Sequence, residues 1–143
     1  MANHIETPKS GASLLSISVV TPEQTVLEQT ADFIAMPLYD GELGVAPGHA
    51  PMIGRLGYGE LRIGREPGAK RLYVDGGFVQ VADNVVSVLT NRALPAQTIN
   101  EGSAAEALLS ALTVKAAGDD QLARRERLVT QARAQLRVAR RPK

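Results

Sequence analysis

Ten of the thirteen glycines of this chain fall between Gly41 and Gly77. Glycine inside a helix costs about 1 kcal/mol relative to alanine. That region is therefore closed to long helices and divides into short extended pieces separated by turns. Its densest part, residues 40–51, reads DGELGVAPGHAP, with Gly41, Gly44 and Gly48 beside Pro47 and Pro51. Asp40-Gly41 and Pro47-Gly48 are turn dipeptides. Leu43 and Val45 between them share one side of a very short strand. The stretch predicts two tight turns around a few extended residues, a rigid loop with Asp40, Glu42 and His49 at its edge. Such a loop suits presentation to a partner protein. The trio also invites a catalytic or metal reading, but no second His or Cys lies nearby to complete a usual ligand set. The glycine-lysine-serine ending of a phosphate loop is missing.

Segments with strand content occur at 14–20, 24–29, 32–38, 51–55, 59–64, 71–75, 78–82 and 85–90. Short strands between frequent turns are the pattern of an all-β sandwich or barrel. Leu15, Ile17 and Val19 share one face of the first. Pro37 places a strand end or an edge in the third. Gly57 separates 51–55 from 59–64, and Gly76-Gly77 separates 71–75 from 78–82. Pro67-Gly68 forms a hairpin turn. Asp83-Asn84 reads as a two-residue hairpin, because Asp and Asn tolerate positive φ.

The character changes near Leu94. Thr98 and Glu101 have the spacing of a capping box, so a helix is expected to start there. Ala105, Leu108, Leu109, Leu112 and Ala116 would form its apolar stripe. Gly118 is a natural stop, and Asp119 and Asp120 suit the start of a second helix. In that helix Leu122, Val129 and Leu136 recur every seven residues, with Ala132 and Ala139 between them. A two-residue break at Gly118-Asp119 makes an antiparallel hairpin the simplest arrangement. Arg133, Arg137, Arg140 and Arg141 lie off the stripe and are expected to form a basic face. The expected fold is thus mostly β with an α appendage: a β-sandwich, then a C-terminal antiparallel helical hairpin.

Charge separates the two parts. Residues 119–143 hold eight basic groups against three acids, a net +5, while residues 1–118 hold eight against twelve, a net −4. Asymmetry of this kind concerns partners rather than fold. Phosphate contacts are available on the second helix, but no aromatic there offers base stacking, and its apolar stripe needs a protein surface. A docking face for an acidic protein partner is therefore favoured over nucleic acid. No cysteine is present, which suits a reducing compartment. The chain lacks the nucleophile elbow, HExxH, EF-hand and dinucleotide patterns. No catalytic residue, metal site or cofactor is expected. The functional classes left are a subunit of a larger machine, a stand-alone β-sandwich interaction module with a basic helix, and, less favoured, a nucleic-acid-binding protein.

The run GELGVAPGHAP, then Met52-Ile53 and Gly59-Glu60-Leu61-Arg62-Ile63, resembles the epsilon subunit of the F-type proton-translocating ATP synthase. So do Tyr73-Val74-Asp75-Gly76-Gly77-Phe78-Val79 and the opening Ser18-Val19-Val20-Thr21-Pro22-Glu23. The resemblance covers about residues 14–141 in order and spacing. It implies a flattened sandwich of about ten strands, each short and turn-bounded, over residues 14–94. A helical hairpin follows over 95–143, and 1–13 is expected to be a disordered tail.

The resemblance also implies a non-catalytic rotor subunit of the central stalk, coupling ion flow through the membrane ring to ATP synthesis. Its implied partners are the gamma subunit, the ring of c subunits and, when the hairpin extends, the alpha/beta catalytic head, where the hairpin restrains hydrolysis. Glu42, with Gly41 and Gly44, would face the ring, and His49 would lie near gamma. Some members bind ATP through a motif resembling [Ile/Leu]-Asp-x-x-Arg-Ala. The matching residues are Ile99, Asn100, Glu101, Gly102, Ser103 and Ala104, in which Asn100 replaces the acid and Ser103 the arginine, so ATP is not expected to bind. The implied location is peripheral, on the cytoplasmic face of the bacterial plasma membrane. No run approaches the roughly 20 apolar residues of a span, and the first residues lack the pattern of a signal peptide.

Overall fold

The computed structural model describes residues 14–141. Strands come first: β1 (Leu15–Val20), β2 (Thr25–Ala31), β3 (Ile34–Leu38), β4 (Gly41–Val45), β5 (Met52–Ile63), β6 (Lys70–Ala82), β7 (Val85–Leu89) and β8 (Ala93–Pro95). A single 3₁₀ turn, Ala96–Thr98, leads into α1 (Glu101–Thr113) and α2 (Asp119–Arg140). The strands run in the order β2-β1-β7-β6-β5-β3-β4, with β8 on β6. β1 and β7 pair parallel; the other pairs are antiparallel. The sheet folds over one aliphatic core that includes Leu15, Ile17, Ile34, Leu61, Val74 and Val86. The expected N-terminal tail lies outside the described residues.

Eight strands are present among the described residues, not about ten, and the reason is glycine. Gly57 and Gly76-Gly77 do not end strands; they bend them. β5 and β6 keep one register from Met52↔Val81 to Ile63↔Lys70. Yet the inward set changes parity on both strands together. On β5 Met52 and Leu56 face the core before Gly57, and Leu61 and Ile63 after it. On β6 Leu72 and Val74 face it before Gly76, and Val79 and Val81 after Gly77. Alternation along a strand has period two, so the ribbon turns over at this point. Gly76 and Gly77 sit at φ +72° and +116°, which interrupts the alternation. A Cβ on Gly77 would land on the Leu89 carbonyl of β7.

One turn expectation holds in detail. Asp83 and Asn84 have φ of 51° and 63°, and they join β6 to β7. Pro37 is accommodated inside β3 rather than at its end. It pairs with Glu42 on β4, while on the β5 side the ladder is irregular between Ala35 and Leu38. A residue without an N–H fits such an irregularity.

The helices differ from expectation in three ways. α1 is capped by Asn100, whose side chain accepts from the Ser103 N–H at 2.9 Å. Thr98 instead donates to the Pro95 carbonyl at 2.7 Å. An Asn immediately before the first helical residue takes the cap, and Thr98 lies two residues too early. Residues 114–118 form the break between the helices, wider than two residues. The stripe on α1 also shifts: Ala104 and Ala111 are buried, whereas Leu109 is 65% and Leu112 40% exposed. Leu122 of α2 is exposed too. The hairpin is antiparallel. Arg125, near the start of α2, donates to the Leu112 carbonyl, and Arg140, at its end, pairs with Glu101.

None of the buried core of the sheet comes from the hairpin. A fragment ending at Pro95 should therefore keep strand-type far-UV circular dichroism and a cooperative melt, at a lower Tm than the full chain. A non-cooperative fragment would show that the sheet needs the hairpin to fold.

Candidate functional site

Beyond the turn in the β5–β6 ribbon, its outward side carries Glu60, Tyr73 and Asp75. α2 lies across that side. Gln131, Ala134 and Val138 occur at i, i+3 and i+7, one face of the helix, and Arg141 follows its last residue, Arg140. Ala134 and Val138 pack with Tyr73, Ala96, Tyr58 and Ile99 in a second small apolar cluster. Burying a valine is worth about 1.5–3 kcal/mol, and an alanine less. The apolar part of this junction is therefore thin.

Polar contacts flank it. Gln131 Nε2 donates to both carboxylate oxygens of Asp75, at 2.7 and 2.9 Å. Tyr73 donates to Asp75 Oδ1 at 2.8 Å, and Arg92 lies 3.7 Å from Oδ2. Burial, with the neighbouring Asp75 charge, pushes the Tyr73 pKa far up, so the phenol stays a donor. At the other end Arg141 donates to Glu60 Oε1 at 2.7 Å. The Glu60 side chain is 8% exposed, and its Oε2 has no hydrogen-bond donor among the described residues. These residues were not singled out in the sequence. The spacing 131-134-138 is helical, but Gln131 is polar and Arg141 lies past the helix end, so no apolar stripe marks them.

α2 has a second inner face. Val129 and Ala132 line seams with Leu112 and Ala111 of α1, and this is the face that the seven-residue spacing identified. The four arginines do not form one free basic face. Arg133 and Arg137 are exposed, Arg140 pairs with Glu101 at 3.6 Å, and Arg141 turns inward to Glu60. α2 ends at Arg140, and Arg141, the extended residue that follows it, reaches over the sheet.

On the other half of the ribbon the outward side is open. One row across four strands reads Arg55, Phe78, Leu89, Val20. The next reads Ile53, Gln80, Ser87, Ser18. Ile53 is 77%, Phe78 58% and Leu89 55% exposed. Tyr39 lies over the Arg55 guanidinium, 5.0 Å from ring centroid to Cζ. Arg55 is the one charge in those two rows. An exposed sheet face so poor in charge marks an interaction surface.

The residues expected to meet partners are placed as follows. Glu42 stands on β4, a strand rather than a loop tip, because 41–45 pairs in full with β3. It is exposed and 3.3 Å from Arg62. Gly41 (φ +142°) opens that strand, and Gly44 lies against the Phe33 ring, where a Cβ would collide. His49 is exposed in the turn after β4, donating from Nδ1 to the Ala50 carbonyl at 2.8 Å. Its turn is tied to the β6–β7 hairpin by the Gly48 N–H donating to Asn84 Oδ1 at 2.7 Å. Glu42 and His49 share no contact. Of the nucleotide-motif positions, Ile99 joins the second apolar cluster, Asn100 caps α1 through Ser103, and Ala104 is buried. Among the described residues no group of three His, Cys, Asp or Glu could hold a metal ion.

Residues 14–96 match the family described as ATP synthase, Delta/Epsilon chain, beta-sandwich domain. The chain is 50% identical over 122 residues to the ATP synthase epsilon chain of Rhodopirellula baltica, covering 85% of this chain and 95% of that one. It is 33% identical to the ATP synthase epsilon chain of Nitratidesulfovibrio vulgaris strain DP4, covering 88% and 89%. Its fold is similar to a chain in the Euglena gracilis mitochondrial ATP synthase structure of OSCP, F1 and c-ring. The TM-score is 0.76 at 21% identity, over 93% of this chain and 88% of that one.

Glu42→Ala should leave stability within about 1 kcal/mol, since an exposed ion pair contributes no more than that. Tyr73→Phe, which removes a buried donor from Asp75, should cost about 1 kcal/mol or more. Urea denaturation of both variants checks the contrast.

Proposed function

The chain belongs to the ATP synthase epsilon-chain family, and from that premise we propose that it is a non-catalytic rotor subunit of the central stalk. It couples ion flow through the membrane ring to ATP synthesis in the catalytic head. The observation that carries this reading is the division of the sandwich into two outward faces. One is closed by the chain's own hairpin. The other is open and nearly uncharged, and it suits permanent burial against the gamma subunit, because burying it desolvates only one charge. The β4 edge and the turn at His49 suit contact with the ring of c subunits and with gamma. Torque passes best through stiff elements, and both are cross-tied, by Arg62 to Glu42 and by Asn84 to Gly48. No helix among the described residues is long and apolar enough to cross a membrane. A peripheral position on the cytoplasmic face of a bacterial plasma membrane fits this reading.

A pull-down from membranes with tagged chain tests the assignment, recovery of the other ATP synthase subunits being the expected result. Phe78→Asp should reduce that recovery at least tenfold while the isolated chain still folds. Equal recovery would remove the open face from the gamma interface.

The hairpin restrains ATP hydrolysis when it extends to the alpha/beta head. Deletion of residues 119–143 should raise hydrolysis by the assembled enzyme without abolishing synthesis. Arg133→Glu with Arg137→Glu should do the same, because these two arginines are free of the docked contacts. If deletion activates and charge reversal does not, the restraint is steric or apolar. The isolated chain should not bind ATP. Asn100 is spent on the α1 cap, and Ser103 offers phosphate no charge. Calorimetry showing a dissociation constant of about 1 mM or tighter would overturn this.

A further inference from the structure

We propose that Glu60 and Asp75 form a two-point acid latch that holds α2 on the sandwich, engaging Arg141 and Gln131, and that this latch rather than apolar packing sets how readily the hairpin is released. Its regulatory meaning rests on the rotor reading above; its mechanics do not.

Three observations carry it. First, the sheet has its own core without the hairpin, and the matching family domain ends at residue 96. The hairpin is thus an added body joined through the 3₁₀ turn at Ala96–Thr98. Second, the apolar contribution of α2 to the junction is Ala134 and Val138. Third, both acids are nearly buried and draw donors from α2 and from the residue that follows it. Gln131 spans both oxygens of Asp75, and Arg141 is the sole hydrogen-bond donor to Glu60 among the described residues. Asp75 keeps Tyr73 and Arg92 when the helix leaves, so it is a standing socket. Glu60 does not. With Arg141 in place its charge is paired; with Arg141 gone from a still-docked helix it would be a buried carboxylate without its partner, a strongly unfavourable state. Gln131 lies within α2 and Arg141 is the extended residue just past its end, so the two points sit about two and a half helical turns apart and resist both rolling and lifting. A latch built from charge is also weakened by salt.

The absence of cysteine allows a clean test. Cysteines at the exposed positions Thr30 and Arg127 take spin labels, and pulsed dipolar spectroscopy on the full isolated chain reads their separation. The parent protein should give one dominant distance. Arg141→Glu and Gln131→Glu each place a carboxylate against an acid of the sheet. Each should raise a second, longer population roughly tenfold, the change expected from loss of one charged hydrogen bond. Glu60→Arg alone should do likewise, and combined with Arg141→Glu it should restore the parent distribution. High salt should move the parent toward the longer population. If Arg141→Glu and Gln131→Glu both keep the parent distance, the latch does not control release and the proposal falls. If they lengthen it but the charge-swapped pair does not rescue, the Glu60–Arg141 point falls. The readout uses no other subunit, so a failed membrane pull-down would overturn the rotor reading and leave this result standing.

Discussion

The turn-over of the β5–β6 ribbon is the constraint on which the rest of the structure depends. Two long strands hold one register across a point where their inward faces exchange parity. A strand of ordinary residues keeps its alternation. Here Gly76 and Gly77 take backbone angles that L residues avoid, and the carbonyl of Leu89 fills the space a side chain would need. Because register is unbroken, the ladder loses little hydrogen bonding at the turn. The same two strands therefore serve one core while showing solvent two chemically different faces. Ahead of the turn on β5, and after it on β6, the outward side is Ile53, Arg55, Phe78 and Gln80. On the other half it is Glu60, Tyr73 and Asp75.

Each face has its own way of being covered. The acidic one is covered in cis by a helix that brings few carbons and two polar anchors. Such a junction is specific in register, since each anchor fits one position. It also depends on charge in a way an aliphatic seam would not, because a buried acid tolerates neither misplacement nor loss of its donor. α1 and α2, by contrast, meet through apolar residues that include Ala111, Leu112, Val129 and Ala132. The helices are thus held to each other by close packing and to the sheet chiefly by hydrogen bonds. That division lets the pair move as one body.

Much of the fold was legible from residue types whose backbone preferences are strong. Asp83-Asn84 marked a hairpin because few residues accept positive φ at two successive positions. Asp119 and Asp120 marked the start of α2, whereas Gly118, expected to stop α1, lies five residues past its end at Thr113; the antiparallel pairing followed from the short connection. The same glycine signal misled at Gly57 and Gly76-Gly77. A glycine reports that the chain bends, and only the neighbouring strand decides whether pairing continues through the bend. Glu42, expected at the edge of a rigid loop, stands on a fully paired strand. Gly41 and Gly44 looked like turn residues, but Gly44 is small because the Phe33 ring lies on it.

What the sequence by itself determined was the inventory: a glycine-punctuated β region, a helical hairpin, a charge division between them, and a set of motifs specific enough to point to one family. Those features are local, and local backbone preference or short-range spacing expresses them directly. Tertiary structure alone decided which polar residues would be buried together. Glu60, Asp75, Gln131 and Arg141 are unremarkable as separate letters, since a carboxylate or an amide on the surface looks the same in sequence as one under a helix. They become a site only when the ribbon turns over and α2 crosses it, which brings residues 56 and 81 positions apart into hydrogen-bond distance. Burial then gives those contacts a strength that exposed pairs lack, because the surrounding protein screens charge far less than water does.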